Sequence, residues 1–373
     1  MVDNGIFLIF SLAIAFLFSF AAVPLVRVVA FKIGAVDVPR DQRRMHTKPI
    51  PRMGGLAIYL GFLVSYLCFG GILEPKSVGI IAGATVLVIL GILDDRKPIR
   101  AVVKLGVQLI AALIPVLMGL RVEFVTSINL FSNQANYVLG ALSVPITVVW
   151  IVGVTNALNL IDGLDGLAGG IASISSFCLM FVSLVFGSPH CAVALAAIAG
   201  ATIGFLPYNL NPAKIFMGDT GALFLGYMLA TLSVDGFFKS YAAITFVIPL
   251  LVMGLPLFDT SFAIFRRMLR GEPIMQPDRS HLHHRLIDAG FSQRQAVAIM
   301  CTISGLLSLT AIVLITEGWK RTLVMFAVSV LYYCGGLLYI KNKNYEQDFL
   351  DNLAKKEGLS NQIEEEREGT SEK

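Results

Sequence analysis

Apolar residues dominate this chain in long runs, and polar residues fall mainly between those runs. Runs close to the about 20 residues that a helix needs to cross a bilayer recur from Gly5 to Ile340. No run alternates like a β-barrel strand, and backbone in lipid must satisfy its own hydrogen bonds, so we predict helices. The pattern therefore predicts an all-α, polytopic integral membrane protein with about eleven transmembrane helices. The predicted spans cover residues 5–30, 54–73, 77–93, 102–120, 138–155, 167–187, 191–207, 221–235, 241–265, 296–316 and 321–340.

Composition agrees with this pattern, because 56% of the 373 residues are hydrophobic and only 14% are charged. The first run has no basic segment before it and no small-residue cleavage site after it, which favours a retained helix over a signal peptide. We predict one transmembrane catalytic domain over residues 1–340. We predict that residues 341–373 form a polar cytosolic tail, to which the sequence assigns no function.

The distribution of Lys and Arg predicts the orientation. If the N-terminus lies outside, the outer loops carry few basic residues and the inner loops carry many, as the positive-inside rule requires. The outer set is Lys76, Arg121, Lys239, Lys320 and Arg321. The same orientation places every polar motif on the cytosolic side. No internal repeat is visible, which argues against a transporter built from inverted repeats.

The segment NALNLIDGLDGLAGG, residues 156–170, places Asn156, Asn159, Asp162 and Asp165 three residues apart. On a helix this spacing keeps the side chains on one slowly drifting face. The adjacent glycines permit close approach of a ligand or of another backbone. The alternative is an ordinary helix exit with capping side chains.

Asp94 and Asp95 follow the third apolar run directly. Adjacent carboxylates raise each other's pKa unless a cation or basic groups compensate, and Arg96, Lys97 and Lys104 are nearby candidates. A charged turn is the alternative.

Asp219 lies in NPAKIFMGDTGALFLG, where it is either a helix N-cap or a ligand of Mg²⁺. This ion typically binds one or two carboxylates plus phosphates and water.

The loop from Arg266 to Arg294 contains a cluster of arginines and histidines, which suits a diphosphate better than Zn²⁺. Attraction to anionic lipid headgroups is the alternative. Ser292 to Gln295 predicts a capping box, and Pro249 and Pro256 predict a break in the ninth apolar run. Asp259 follows this break, as a catalytic residue or as a partner of Arg266 or Arg267.

Carboxylates suited to Mg²⁺ and basic side chains suited to phosphates, together on one membrane face, favour phosphoryl transfer. The motifs PRMGG, GILDDRKPI, NALNLIDGLDGLAGG, NPAKIFMGDTGALFLG and PDRSHLHHRL occur in that order within about residues 20–295. In these motifs the chain resembles the polyprenyl-phosphate N-acetylhexosamine-1-phosphate transferases, glycosyltransferase family 4. The resemblance implies transfer of a sugar 1-phosphate from a UDP-sugar to undecaprenyl phosphate, with release of UMP.

The resemblance also implies roles for individual residues. Asp219 is the expected metal ligand. The expected catalytic residues are Asp94, Asp95, Asp162, Asp165 and His281. The expected substrate-binding residues are Lys48, Lys104, Asn156, Asn159, Asn209, Phe216, Arg267, His283 and His284. Mg²⁺ is the expected cofactor, with Mn²⁺ as an alternative.

Two departures from the muramyl branch of this family favour the GlcNAc branch: PRMGG in place of G-T-P-T-M-G-G, and SHLHH in place of H-H-H. UDP-GlcNAc is therefore the expected donor, with another UDP-N-acetylhexosamine or UDP-MurNAc-pentapeptide as the alternative. The more distant alternatives are an ion-coupled transporter, which would carry acidic residues near mid-span, and a CDP-alcohol phosphotransferase, which needs an arginine that DGLDGLAGG lacks.

The expected location is a bacterial plasma membrane, with the active site on the cytosolic face. The expected partners are the UDP-sugar, undecaprenyl phosphate and the bilayer, without nucleic acid. A homodimer is an open alternative.

Overall fold

A computed structural model describes residues 2–38, 49–71, 74–122, 124–126, 136–237, 242–271, 281–336, 338–339 and 342. Helices dominate it, which confirms the predicted all-α class. The helices are α1 (Val2–Ile33), α2 (Gly54–Phe69), α3 (Pro75–Arg96), α4 (Ala101–Leu117), α5 (Ser143–Ile161), α6 (Leu167–Val185), α7 (Pro189–Asn209), α8 (Gly218–Phe237), α9 (Ala242–Val252), α10 (Gly254–Arg270), α11 (Leu282–Asp288) and α12 (Gln293–Thr316). Residues 319–336 are also helical.

Short strands and a 3₁₀ turn, Gly140–Leu142, complete the described structure. Strands β1 (Val36–Asp37) and β2 (Ile50–Pro51) pair antiparallel, with Val36 opposite Pro51. Strands β3 (Phe124–Thr126) and β4 (Asn136–Val138) form a second antiparallel pair, with Val125 opposite Tyr137.

Within the described residues, six helical segments are long and apolar enough to cross a membrane. They are Gly5–Ile33, Pro75–Arg96, Gly140–Ile161, Leu167–Val185, Pro189–Asn209 and Gln293–Thr316. Two shorter apolar helices, α2 and α4, pack among them. These segments support a membrane-embedded helical protein, while the full set of eleven spans and their orientation stays a prediction.

Helix α8 forms the centre of the bundle, where it packs against α3, α5 and α2. Its side chains from Ala222 to Val234 are largely inaccessible to solvent. Glycines bring its first turn very close to two other helices. A Cβ on Gly55 would lie 2.0 Å from the backbone of Gly221, and a Cβ on Gly91 would lie 2.3 Å from Thr220 Cα. The start of α2, the end of α3 and the start of α8 therefore meet at one end of the bundle.

Two local sequence signals are confirmed. The ninth apolar run is broken, because α9 ends at Val252 and α10 begins at Gly254. At the start of α12, Ser292 Oγ accepts a hydrogen bond from Gln295 N, and the Gln295 side chain accepts one from Ser292 N. This reciprocal pair is the predicted capping box.

Candidate active site

The predicted polar motifs meet at a single end of the helix bundle. Asp94 and Asp95 lie at the end of α3, Asn159 lies in the last turn of α5, and Asp219 lies in the first turn of α8. Lys104 projects from α4 between two of these carboxylates. Its Nζ lies 3.2 Å from Asp94 Oδ2 and 2.8 Å from Asp219 Oδ2. The carboxyl groups of Asp94 and Asp219 also lie close enough to interact, and Asn159 lies beside Asp219.

Asp95 differs from its neighbour, because it caps the start of α8. Its carboxylate accepts hydrogen bonds from the backbone of Asp219 at 3.0 Å and of Thr220 at 3.1 Å. The Thr220 hydroxyl donates a third, at 2.6 Å. A carboxylate is well suited to this place, since the first backbone N–H groups of a helix lack partners and the N-terminus carries partial positive charge. Asp95 thus fixes the turn that carries Asp219.

Arg52 joins this cluster and was not among the predicted site residues. Its Nε lies 4.0 Å from Asp95 Oδ1, while 39% of its side chain is exposed. Within the described part of the chain, this buried Nε has no hydrogen-bond partner. The sequence signal was its place in PRMGG, the turn that leads into α2. Arg52 therefore places a permanent positive charge beside Asp95, at the cluster of Asp94, Asp95 and Asp219.

Two polar side chains near the end of α5, those of Asn156 and Asp162, lie in different surroundings. Asn156 exchanges hydrogen bonds with the buried Gln108 of α4, at 2.6 and 3.2 Å, so its side chain joins two helices. Asp162 follows the last residue of α5 and is half-buried. Burial raises the pKa of its carboxyl to about 7, and the nearby Asp219 carboxylate adds to the rise. Asp162 therefore changes charge near neutral pH.

Asp165 and Asn209 hold the segment that leads from α7 to α8. Asp165 accepts hydrogen bonds from the Asn211 side chain at 3.0 Å and from the backbone of Ala213 at 3.1 Å. The buried Asn209 accepts one from Gly166 N and donates one to Ile215 O, both at 3.0 Å. These hydrogen bonds fix the loop before Asp219, so both side chains help to determine the position of Asp219.

The histidine motif lies at the start of α11. His281 Nδ1 is 2.9 Å from Asp259 Oδ2, and the ring of His281 stacks on that of His283 with centroids 5.8 Å apart. The ring of His284 is tilted against that of His283, with centroids 4.1 Å apart. Burial and the charge of His284 lower the pKa of His283 to about 3, so His283 is neutral in the folded protein.

Contact between His283 and Gly163 joins the histidine motif to the aspartate motif. A Cβ on Gly163 would lie 2.3 Å from His283 Nε2, so only glycine leaves room for the imidazole. Gly163 directly follows Asp162 in the chain. The histidines and Asp162 are therefore neighbours across this contact.

Three predicted site residues remain to be placed: Arg267, Phe216 and Lys48. Arg267 is buried on α10. Phe216 is half-buried, and its backbone is bonded to Pro51 O and Gly54 N, both at 2.9 Å. Lys48 lies outside the described residues. Their roles, like those of the other predicted site residues, stay predictions.

The donor set can hold a hard cation. Asp94 and Asp219 already converge on one ammonium group, and carboxylates are preferred ligands of Mg²⁺. Among the residues that the structure describes, no three His, Cys, Asp or Glu side chains are arranged to hold a metal by themselves. This arrangement suits a metal that takes its other ligands from phosphates and water.

Comparison with known proteins is consistent with this geometry. The family profile described as Glycosyl transferase family 4 matches residues 77–237. The "Probable undecaprenyl-phosphate N-acetylglucosaminyl 1-phosphate transferase" of Bacillus subtilis (strain 168) is 42% identical over 324 residues, which is 86% of this chain and 89% of that protein.

Two further relatives carry related names. The "Decaprenyl-phosphate N-acetylglucosaminephosphotransferase" of Mycobacterium tuberculosis (strain ATCC 25618 / H37Rv) is 34% identical, over 81% of this chain and 80% of that protein. The "Undecaprenyl-phosphate alpha-N-acetylglucosaminyl 1-phosphate transferase" of Escherichia coli (strain K12) is 28% identical, over 79% and 80%. With a relative this similar over most of both chains, the protein belongs to glycosyl transferase family 4, among the polyprenyl-phosphate N-acetylglucosamine-1-phosphate transferases.

Proposed function

We propose that this protein transfers N-acetylglucosamine 1-phosphate from UDP-GlcNAc to undecaprenyl phosphate. The products are undecaprenyl-diphosphate-GlcNAc and UMP. The observation that carries the proposal is the position of Lys104 between Asp94 and Asp219, at one end of the helix bundle. A relative of this protein is named for this transfer. The membrane-embedded fold supports a lipid acceptor, because a polyprenyl chain is soluble only in the bilayer.

In the proposed reaction, an oxygen of the lipid phosphate attacks the β-phosphorus of UDP-GlcNAc. The bond between that phosphorus and the bridging oxygen breaks, and the bridging oxygen leaves with UMP. A lipid phosphate has its second pKa near 6 to 7, as phosphorylated side chains do, so it is a competent nucleophile at neutral pH. Catalysis then rests mainly on positioning and on neutralising phosphate charge.

The side chains at the site divide this work. Lys104 and Arg52 supply positive charge to the phosphates, while Asp94 orients Lys104 and the attacking group. Asn159, which is predicted to bind substrate, lies beside Asp219. The family resemblance implies Mg²⁺, with Mn²⁺ as an alternative, and Asp219 with Asp94 would hold the metal. When bound, the metal would neutralise charge on the diphosphate.

We infer that the site faces the cytosol of a bacterium and that the bundle lies in its plasma membrane. The support is the concentration of Lys and Arg in the loops on the side of the aspartate motifs. UDP-sugars are made in the cytosol, so this orientation gives the enzyme its donor. A homodimer stays a prediction.

A double-label assay tests the reaction. The purified protein receives Mg²⁺, undecaprenyl phosphate and UDP-GlcNAc that carries ³²P in the β-position and ¹⁴C in the sugar. Both labels should appear in the lipid fraction in a one-to-one ratio. Transfer of ¹⁴C without ³²P would contradict phosphosugar transfer. Product from another UDP-N-acetylhexosamine or from UDP-MurNAc-pentapeptide, but not from UDP-GlcNAc, would change only the donor.

A further inference from the structure

Asp259 of α10 binds the residue that begins the histidine motif. Its Oδ2 lies 2.9 Å from His281 Nδ1, and its Oδ1 accepts a hydrogen bond from Leu282 N at 3.0 Å. Only 11% of the Asp259 side chain and 6% of the His281 side chain are exposed. The sequence had offered Arg266 or Arg267 as its partner, but the hydrogen bonds of this carboxylate lead to α11 instead.

These contacts constrain the imidazole of His281. A carboxylate only accepts hydrogen bonds, so His281 Nδ1 must carry the proton that the two groups share. Nε2 is then the nitrogen that can meet another molecule, as a proton acceptor when the ring is neutral and as a donor when it is protonated. A carboxylate at Nδ1 also fixes the orientation of the ring.

The pair lies near the aspartate motif that contains Asp162. The ring of His281 stacks on that of His283, and the ring of His283 packs on Gly163, which follows Asp162. Asp259 is linked to this contact through His281, because its two hydrogen bonds are to His281 and Leu282. Asp259 can therefore act on the reaction through His281.

We propose that Asp259 is a positioning residue for the transfer reaction, which sets the tautomer and the orientation of the His281 ring where His281 acts at the reacting phosphates. This inference rests on the proposed function. A second effect of Asp259, the capping of α11, must be separated from it by the choice of variants.

Asp259→Asn makes that separation. The amide oxygen can still accept from Leu282 N, but the amide nitrogen would face His281 Nδ1 as a donor and reverse the tautomer. We expect kcat to fall at least about 100-fold, because a wrongly oriented acid or base loses its contribution. The KM for UDP-GlcNAc should stay within about threefold, since Lys104 and Arg52, which are proposed to supply positive charge to the phosphates, are unchanged in the variant. The melting temperature should stay within about 2 °C of the wild type.

Three further comparisons test the same inference. Asp259→Glu, which keeps the negative charge, should recover at least about tenfold of the activity that the Asn variant loses. In a His281→Asn background, Asp259→Asn should change kcat less than about twofold, because a residue that acts through His281 has nothing left to act on. Asp288→Asn, at an exposed acid at the end of the same helix, should retain wild-type activity.

The possible results separate the two proposals. An active wild type with wild-type kcat in Asp259→Asn would overturn this inference and leave the proposed function intact. Independent, multiplying losses from Asp259→Asn and His281→Asn would overturn it as well. A folded wild type that makes no lipid-linked product would overturn the proposed function and this inference with it.

Discussion

The ammonium group of Lys104 lies 2.8 Å from the carboxylate of Asp219, although 115 positions separate the two residues in the chain. This contact joins α4 to the first turn of α8, and the same ammonium group reaches Asp94 at the end of α3. Three helices thus bring opposite charges to one point. The surrounding protein limits screening by water, so each charge there depends strongly on its partners.

Lys104→Met should abolish most turnover, because it removes a charge that would meet the phosphates and leaves Asp94 and Asp219 facing each other. We expect kcat to fall about 100-fold or more, with a lower melting temperature. Both quantities are measured on protein purified in detergent. Lys97→Met, at an exposed lysine just after α3, is the matched control. Equal activity in the two variants would argue against a phosphate-binding role for Lys104.

Asp95→Asn should mainly reduce stability. Asp95 accepts three hydrogen bonds at the start of α8, and an amide can accept only at its oxygen. The expected loss is about 2 kcal/mol, seen as a lower melting temperature, with reduced activity because Asp219 is displaced. Thr220→Val should change the melting temperature in the same direction and by less. An Asp95→Asn protein with wild-type melting temperature and no activity would instead favour a direct chemical role.

Asp162→Asn should abolish turnover and still raise stability at alkaline pH. A carboxyl whose folded pKa is raised favours folding only while it is protonated. This contribution is present below the unfolded value of about 3.9 and is lost as pH rises through about 7. The neutral amide avoids that loss. We therefore expect a higher melting temperature for the variant at pH 8 and a similar one at pH 4. Wild-type turnover in this variant would refute a role for Asp162 in the reaction.

His283 should make the protein less stable as pH falls. Its folded pKa of about 3 lies below the unfolded value of about 6.5, so the unfolded chain binds more protons between these values. The contribution is fully present above pH 6.5, and about 2 kcal/mol of it is lost by pH 5. His283→Gln should remove this part of the pH dependence, while His190→Gln, at an exposed histidine, should leave it unchanged. The same slope in both variants would contradict the prediction.

The sequence predicted features that local signals encode. Long apolar runs predicted the helices, Pro249 and Pro256 predicted the break near Met253, and the residues from Ser292 to Gln295 predicted a capping box. These signals work because lipid restricts the backbone to few structures and because caps act within one turn.

The sequence could not predict which side chains pair across helices. Asn156 was predicted to bind substrate, and nothing in its spacing indicated that its side chain is hydrogen-bonded to Gln108 of α4. Arg266 and Arg267 were the partners considered for Asp259, yet its carboxylate is paired with His281, 22 positions later in the chain. Such pairings depend on how the helices pack, which neither spacing nor composition specifies.

The central claim is tested most directly by the ratio of UMP to lipid-linked GlcNAc formed by the purified protein from UDP-GlcNAc and undecaprenyl phosphate. We predict equal amounts of both with Mg²⁺ present, loss of both on addition of chelator, and loss of both in a folded Asp219→Asn variant. Release of UDP instead of UMP, or no product from a folded wild-type protein with any UDP-N-acetylhexosamine or with UDP-MurNAc-pentapeptide, would contradict the account.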